Sequence, residues 1–211
     1  MMRSTLIVEG FGDKAFFEAI IQKLYGIKPE ELGLDIKVGH DKRQAKDVLR
    51  TYVRQGFLKI GIARDIDDSS PQEEEKNIRN NLASELKSPV KIEDDFILAG
   101  ESKVIAIPMG LYNDDEIISL GITRYEMEDY LVKLALRESS NKSNKTLLSL
   151  LKDCYHLERS KEFLQPLKAL FKFSDDDHAF AKLLIGKSSK TIIATITSTI
   201  SGKIETLIKD D

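Results

Sequence analysis

The sequence predicts an α/β fold: a mainly parallel, Rossmann-like sheet flanked by helices, followed by a C-terminal helical subdomain. Three observations lead there. Short apolar runs rich in β-branched residues alternate with helical patterns as far as Ile107. Their order (strand, helix, strand, helix, strand, helix, strand) calls for crossover helices between parallel neighbours. After about Tyr112 the strand pattern stops and helical periodicity takes over. The expected division is an α/β core over 1–112 and a helical extension over 113–211 that packs on the core and contributes to its site.

Each element has a local cause. Ser4–Glu9 is an apolar strand that closes on a carboxylate. Asp13 to Tyr25 carries Phe16, Phe17, Ile20, Ile21 and Leu24 at helical spacing and stops at Gly26. Asp35–Val38 is a short second strand. Gln44 to Gln55 is helical, with Val48, Leu49, Tyr52 and Val53 on one face and Gly56 as the stop. Lys59–Arg64 is the third strand. Ser70-Pro71 supplies a cap and a first-turn proline, and Glu73, Glu74 and Glu75 suit the N-terminus of a helix that reaches Leu86. Phe96–Ala99 and Val104–Ile107 flank Gly100 to Lys103 as a hairpin. Thr123–Arg137, Leu147–Leu157, Lys161–Phe173, Asp176–Ile185 and Lys190–Ile208 read as helices, with a polar loop from Glu138 to Lys145.

The 211 residues are enough for one domain with a real core, and a net charge of −3 excludes a globally basic nucleic-acid binder. Attraction to phosphate must then come from local patches or a bound cation. A lone cysteine, Cys154, rules out an intrachain disulfide and fits a reducing compartment. The N-terminus carries no signal-like stretch, and no run approaches the roughly 20 apolar residues of a membrane span. A cytoplasmic protein with no membrane partner is expected. Abundant Ile, Lys and Glu and the absence of Trp lean towards a thermophile.

Chemistry concentrates at two strand ends. Leu6-Ile7-Val8 ends in Glu9-Gly10, with Asp13 four residues on, and Ile60-Gly61-Ile62-Ala63-Arg64 ends in Asp65-Ile66-Asp67-Asp68. A carboxylate at the end of a buried strand is costly unless something pairs with it. In open α/β sheets ligands bind beyond the carboxyl ends of the strands, so Glu9 and Asp65 are expected to face one crevice. A divalent cation with oxygen ligands is the expected compensation, Mg²⁺ or Mn²⁺, held by Glu9, Asp13, Asp65 and Asp67.

This pattern resembles the TOPRIM family, whose signature is a Glu, usually followed by Gly, at the end of a first strand and an Asp-x-Asp at the end of a later one. Glu9-Gly10 and Asp65-Ile66-Asp67 match it. The Glu-x-x-x-Asp made with Asp13, and Tyr125-Glu126-Met127-Glu128-Asp129-Tyr130-Leu131, look like the stand-alone OLD-like nuclease branch. The resemblance spans roughly residues 4–131. It implies Glu128 as a further metal ligand and Glu9 as either ligand or general acid–base. It also implies a catalytic lysine downstream, for which Lys187 or Lys182 is the candidate.

Other motifs fail on physical grounds. Gly10-x-Gly12-x-x-Ala15, with Asp41 downstream, formally fits a dinucleotide fingerprint, but Glu9 and Asp13 would repel a pyrophosphate at that helix N-terminus. A haloacid-dehalogenase nucleophile would sit on the first strand, not the third. There is no Walker loop, zinc spacing or Ser-His-Asp order, and His40, His156 and His178 read as surface residues. Arg43, Lys46, Arg50 and Arg54 form a basic stripe on the second helix, able to track a phosphate backbone or simply solvated.

The expected function is a Mg²⁺- or Mn²⁺-dependent nuclease that hydrolyses phosphodiester bonds in DNA or RNA, with nucleic acid as its partner. The alternative is a non-catalytic metal-binding TOPRIM module within a repair, RNA-processing or defence complex. Oligomeric state is left open by the sequence, a homodimer being one option.

Overall fold

The computed structural model describes residues 4–87, 89–138, 146, 153, 157–174 and 176–209. Most of the helix expected over 147–157 and of the polar loop expected over 138–145 lies outside them, as do Cys154 and His156.

A six-stranded sheet in the order β2-β1-β3-β6-β5-β4 forms the centre. Its strands are β1 (Ser4–Val8), β2 (Leu34–Val38), β3 (Lys59–Asp65), β4 (Lys91–Glu93), β5 (Phe96–Ala99) and β6 (Ser102–Met109). β2, β1, β3 and β6 are parallel neighbours, and β5 runs antiparallel to β6 and β4. The fold is therefore α/β and Rossmann-like, with the expected β5–β6 hairpin between the parallel strands and the edge strand β4. β4 adds an exposed strand that no alternating pattern announces.

Around the sheet lie α1 (Phe11–Tyr25), α2 (Lys42–Arg54), α3 (Pro71–Leu86), α4 (Asp115–Ser119), α5 (Glu128–Glu138), α6 (Ser160–Leu170), α7 (Asp177–Lys187), α8 (Lys190–Ile196) and α9 (Ser198–Ile208). None of the described helices is long and apolar enough to cross a membrane. Strand side chains alternate between faces. Ile7, Ile60, Ile62, Val104 and Ala106 pack with α2 and α3. Leu6, Val8, Ala63, Ile105 and Ile107 pack with α1 and the helices from α5 onward. The first helix and the C-terminal helices thus share one apolar core. Gly61 makes room for this packing: a Cβ there would stand 2.8 Å from Leu207 of α9.

Two expected helices are resolved differently. The segment from Thr123 to Met127 is not the start of α5. Its backbone is spent on other partners, with Asp67 and Tyr125 exchanging two hydrogen bonds of 2.9 Å each. The expected Lys190–Ile208 helix is two helices broken at buried Thr197, whose hydroxyl donates to the Ile193 carbonyl at 2.8 Å and lies 3.0 Å from Ser201 Oγ.

Gly110, just past β6, has φ +126°, and a Cβ there would meet Tyr125 Cβ at 2.6 Å and the Tyr125 carbonyl carbon at 2.9 Å. Both the backbone conformation and the contact exclude a side chain. Gly110→Ala is expected to cost roughly 2–4 kcal/mol in denaturant unfolding. A change within about 0.5 kcal/mol would show that the Tyr125 segment yields freely.

Candidate metal centre

The strand order makes β1 and β3 the point where the chain's path across the sheet reverses, β2 lying on one side and β6 on the other. Crevices form at such switch points, outside the carboxyl ends. Glu9 follows β1 and Asp65 ends β3, so two neighbouring strands deliver carboxylates to that crevice. Gly10 leads into α1, where Asp13 folds back and its Oδ2 accepts the Gly10 amide at 2.8 Å.

Across the strand ends runs the segment tied to Asp67 by the Tyr125 bridge. The Met127 amide donates to Asp65 Oδ1 at 2.9 Å. Glu126 and Glu128 thereby reach Asp65, and one carboxylate oxygen from each of the three lies within 4.8 Å of the others. Glu9, Asp13, Asp65 and Glu128 line one hollow of about 360 Å³, together with His40, Asp41, Lys42 and His178.

So many acids, buried together, cannot all stay ionised. Burial pushes Glu9 up to about 7, opposed by Lys42 and Arg64 and reinforced by Asp13. Burial also brings Glu128 to about 7, with repulsion from Glu126 and Asp13 adding to it. Asp13 is raised by burial, against the Gly10 and Glu9 amides. Asp65 stands well above its ordinary range through burial, then through Asp13, Glu128 and Glu9. Glu9 Oε1 is buried with no hydrogen-bond partner among the described residues, and Arg64 Nε is 3.7 Å away.

These features fit a hard divalent cation such as Mg²⁺ or Mn²⁺. The donors are all carboxylate oxygens, one of them buried without a hydrogen bond, and ionisation of the set needs added positive charge. Glu126 is the most firmly held. Arg159 meets its Oε2 from Nη2 at 2.5 Å and Nε at 3.1 Å, and the Lys161 amide donates to Oε1 at 3.0 Å. Buried Asp129 beneath it accepts the Leu111 amide at 2.9 Å and the Ser160 hydroxyl, and burial raises it to about 7.

Of the carboxylates singled out in the sequence, Glu9, Asp13, Asp65 and Glu128 line one hollow, and Asp67 does not. Asp67 adopts φ +52°, and its carboxylate meets Lys42 Nζ at 2.8 Å and Arg124 Nη2 at 3.2 Å. Burial works to raise its pKa, but Lys42 and then Arg124 outweigh it and the group is lowered. Asp67 lines a different cleft of about 840 Å³ with Lys42, Lys46, Arg64 and Lys76. Of the basic stripe, Lys46 faces this cleft, Arg43 is exposed, and Arg50 and Arg54 pair with Glu85. Lys187 ends α7, about 14 Å along the helix from His178, with its ammonium 5.8 Å from the centre of the Phe171 ring. Lys182 lines another groove with Glu18 and Lys23.

Three site residues escaped the sequence reading. Helical periodicity puts Glu126 in a first turn, whereas the non-helical backbone before α5 brings its carboxylate near that of Glu128. Lys42 touches both clefts and donates to the Asp65 carbonyl at 2.8 Å. It stands one turn before Lys46, so an earlier helix start would have added it to the stripe. Arg64, 2% exposed, lies 2.6 Å from Glu74, which the sequence marks only as a charge suited to a helix N-terminus.

The chain resembles proteins of known sequence or structure along most of its length. An uncharacterized protein of Methanocaldococcus jannaschii, MJECL12, is 27% identical over 206 residues, covering 81% of this chain and 84% of that one. The crystal structure of hypothetical protein PH0156 from Pyrococcus horikoshii superimposes with a TM-score of 0.65 at 18% identity, covering 98% of this chain and 95% of that chain. The C-terminal region of the Burkholderia pseudomallei OLD protein superimposes with a TM-score of 0.51 at 17% identity, covering 98% and 99%. At these identities the structural likeness is one of fold. The sequence model for one family matches residues 3–196, and the chain belongs to that family, described as "Protein of unknown function (DUF3226)".

Proposed function

We propose that this chain is a metal-dependent nuclease of TOPRIM type that hydrolyses phosphodiester bonds in DNA or RNA. One observation carries the reading: five carboxylates from the end of β1, α1, β3 and the segment entering α5 converge at the switch point, with one buried oxygen left without a hydrogen bond. The fold shared with an OLD C-terminal region supports it.

Asp65, Glu126 and Glu128 would hold the cation, with Glu9 and Asp13 completing the set. Once bound, Mg²⁺ or Mn²⁺ supplies Lewis-acid activation of water and neutralises phosphate charge. Hydrolysis adds water across one P–O bond, so the nucleophile loses a proton and the leaving oxygen gains one. Glu9, through Oε1, serves either as ligand or as acceptor of that proton. Lys42 brings a positive charge to the same rim to offset charge on the phosphate. On this reading the chain beyond residue 112 completes the site by supplying Glu126 and Glu128.

A non-catalytic metal-binding module is the second reading, favoured by Asp67, whose carboxylate is engaged by Lys42 and Arg124. Incubation of plasmid, single-stranded DNA and RNA with Mn²⁺ separates the two. Wild type is expected to cleave at least one of them, and Asp65→Ala to be slower by about 10²-fold or more, as befits loss of charge stabilisation. Equal degradation by both chains, or none by either, sinks the nuclease reading.

A further inference from the structure

Phe11 is the most exposed large apolar side chain among the described residues, at 58%. It lies in the turn that carries Glu9 and Asp13, between Gly10 and Gly12, which line the acidic hollow. Its ring meets the His40 ring edge-on at 5.5 Å, with the planes 68° apart. His40 also lines the hollow and is itself exposed. The pair is held at the strand ends. The Gly39 amide donates to the Val8 carbonyl at 2.8 Å, and Asp41 caps α2 by accepting the Arg43 and Gln44 amides at 2.8 and 2.7 Å. His40 is kept at φ +70° between these anchors.

An exposed aromatic pair beside an acidic crevice invites a planar partner. Lys42, which lines the same hollow, and exposed Arg43 bring positive charge two and three residues after His40. The exposed Phe11 ring, braced edge-on by His40 beside the hollow and close to cations, suits one nucleotide: base on the Phe11 ring, backbone towards Lys42. Bases inside a duplex are already stacked on each other, so such a surface selects an unpaired base.

We propose that Phe11 and His40 form a nucleobase-stacking platform, and that the chain takes strands with an unpaired nucleotide beside the scissile phosphate, meaning single strands or frayed ends in preference to intact duplex. The proposal rests on reading the hollow as a phosphodiester site. The platform reads bases by their π-faces, so it serves DNA and RNA alike.

The test measures binding of fluorescently labelled single-stranded DNA, single-stranded RNA and blunt duplex by anisotropy, with Ca²⁺ in place of Mn²⁺. A strand carrying 2-aminopurine reports stacking through quenching. Phe11→Ala should weaken single-strand binding roughly 5- to 150-fold and abolish the quenching, while Phe11→Trp keeps both. Because Phe11 is exposed, the melting temperature and its Mn²⁺-induced rise should not move in either variant. Single-strand binding by Phe11→Ala equal to wild type overturns the proposal. So does a wild type that prefers duplex or binds no strand, or a dimer that Phe11→Ala dissociates, which would make the patch a contact between copies. Cleavage with Mn²⁺ is scored separately. A wild type that binds through Phe11 and cuts nothing sinks hydrolysis and leaves the platform standing. Cleavage with Phe11-independent binding does the reverse.

Discussion

Between pH 5 and 8 the metal-free chain should lose stability, and Mn²⁺ should restore it. Glu9 and Glu128 sit near 7 in the folded chain, and Asp65 stands well above its usual range. In the unfolded chain they return to about 4. An acid whose folded pKa is raised holds its proton more tightly when folded. Its stabilising contribution is therefore complete below the unfolded value and is lost as pH climbs through the folded one. Treated as one coupled unit, the cluster should lose on the order of 3 kcal/mol across that window. A divalent ion reverses the sign, because it binds the ionised carboxylates and releases their protons. At 100 times its Kd it should add about 2.7 kcal/mol, or roughly 5–10 °C of melting temperature at pH 8, and much less at pH 5.

Asp65→Asn sharpens the test. The amide oxygen can still accept the Met127 N–H, and one charge leaves a crowd of like charges. The variant should melt higher than wild type without metal at pH 8 and show no Mn²⁺-induced rise. This is the usual exchange between stability and function at a site built from repulsion. A metal effect independent of pH, or equal in wild type and Asp65→Asn, would refute the assignment of the cluster.

The second large effect is expected at Arg159. Glu126 is 1% exposed and owes two of its three close donor contacts to that guanidinium. Arg159→Met strands a buried carboxylate with a single amide donor. Removing one partner of such a pair costs about 3 kcal/mol here, the low end of the usual range, because Arg159 is itself partly exposed. Urea unfolding at pH 7.5 measures it. The double variant Arg159→Met, Glu126→Leu should recover most of the loss, since no buried charge then remains unpaired. An unchanged Arg159→Met midpoint would mean that Glu126 does not depend on the guanidinium. The pair then contributes no positioning of the metal-facing segment.

Much of this molecule is written locally. The apolar runs at Leu6–Val8 and Ile60–Ala63, the Ser70-Pro71 start and the Gly26 stop are signals that act over a few residues, and the structure follows them to within one or two positions. The pairing of Glu9 with Asp65 was also legible, because parallel neighbours joined by crossover helices present their carboxyl ends on one edge. The sequence alone thus determined the α/β fold and put Glu9, Asp13 and Asp65 on one side of it. Tertiary structure decided the rest. Thr123–Met127 carries a plausible helical pattern, yet the Tyr125 backbone bonds to Asp67 and the Met127 amide to Asp65, partners more than fifty residues away. Those long-range bonds move Glu126 to Asp65, while Lys42 and Arg124 draw Asp67 out of the set. Helix periodicity is a property of neighbours along the chain. Which carboxylates share a hollow depends on contacts between distant segments, and these exist only once the chain has closed on itself.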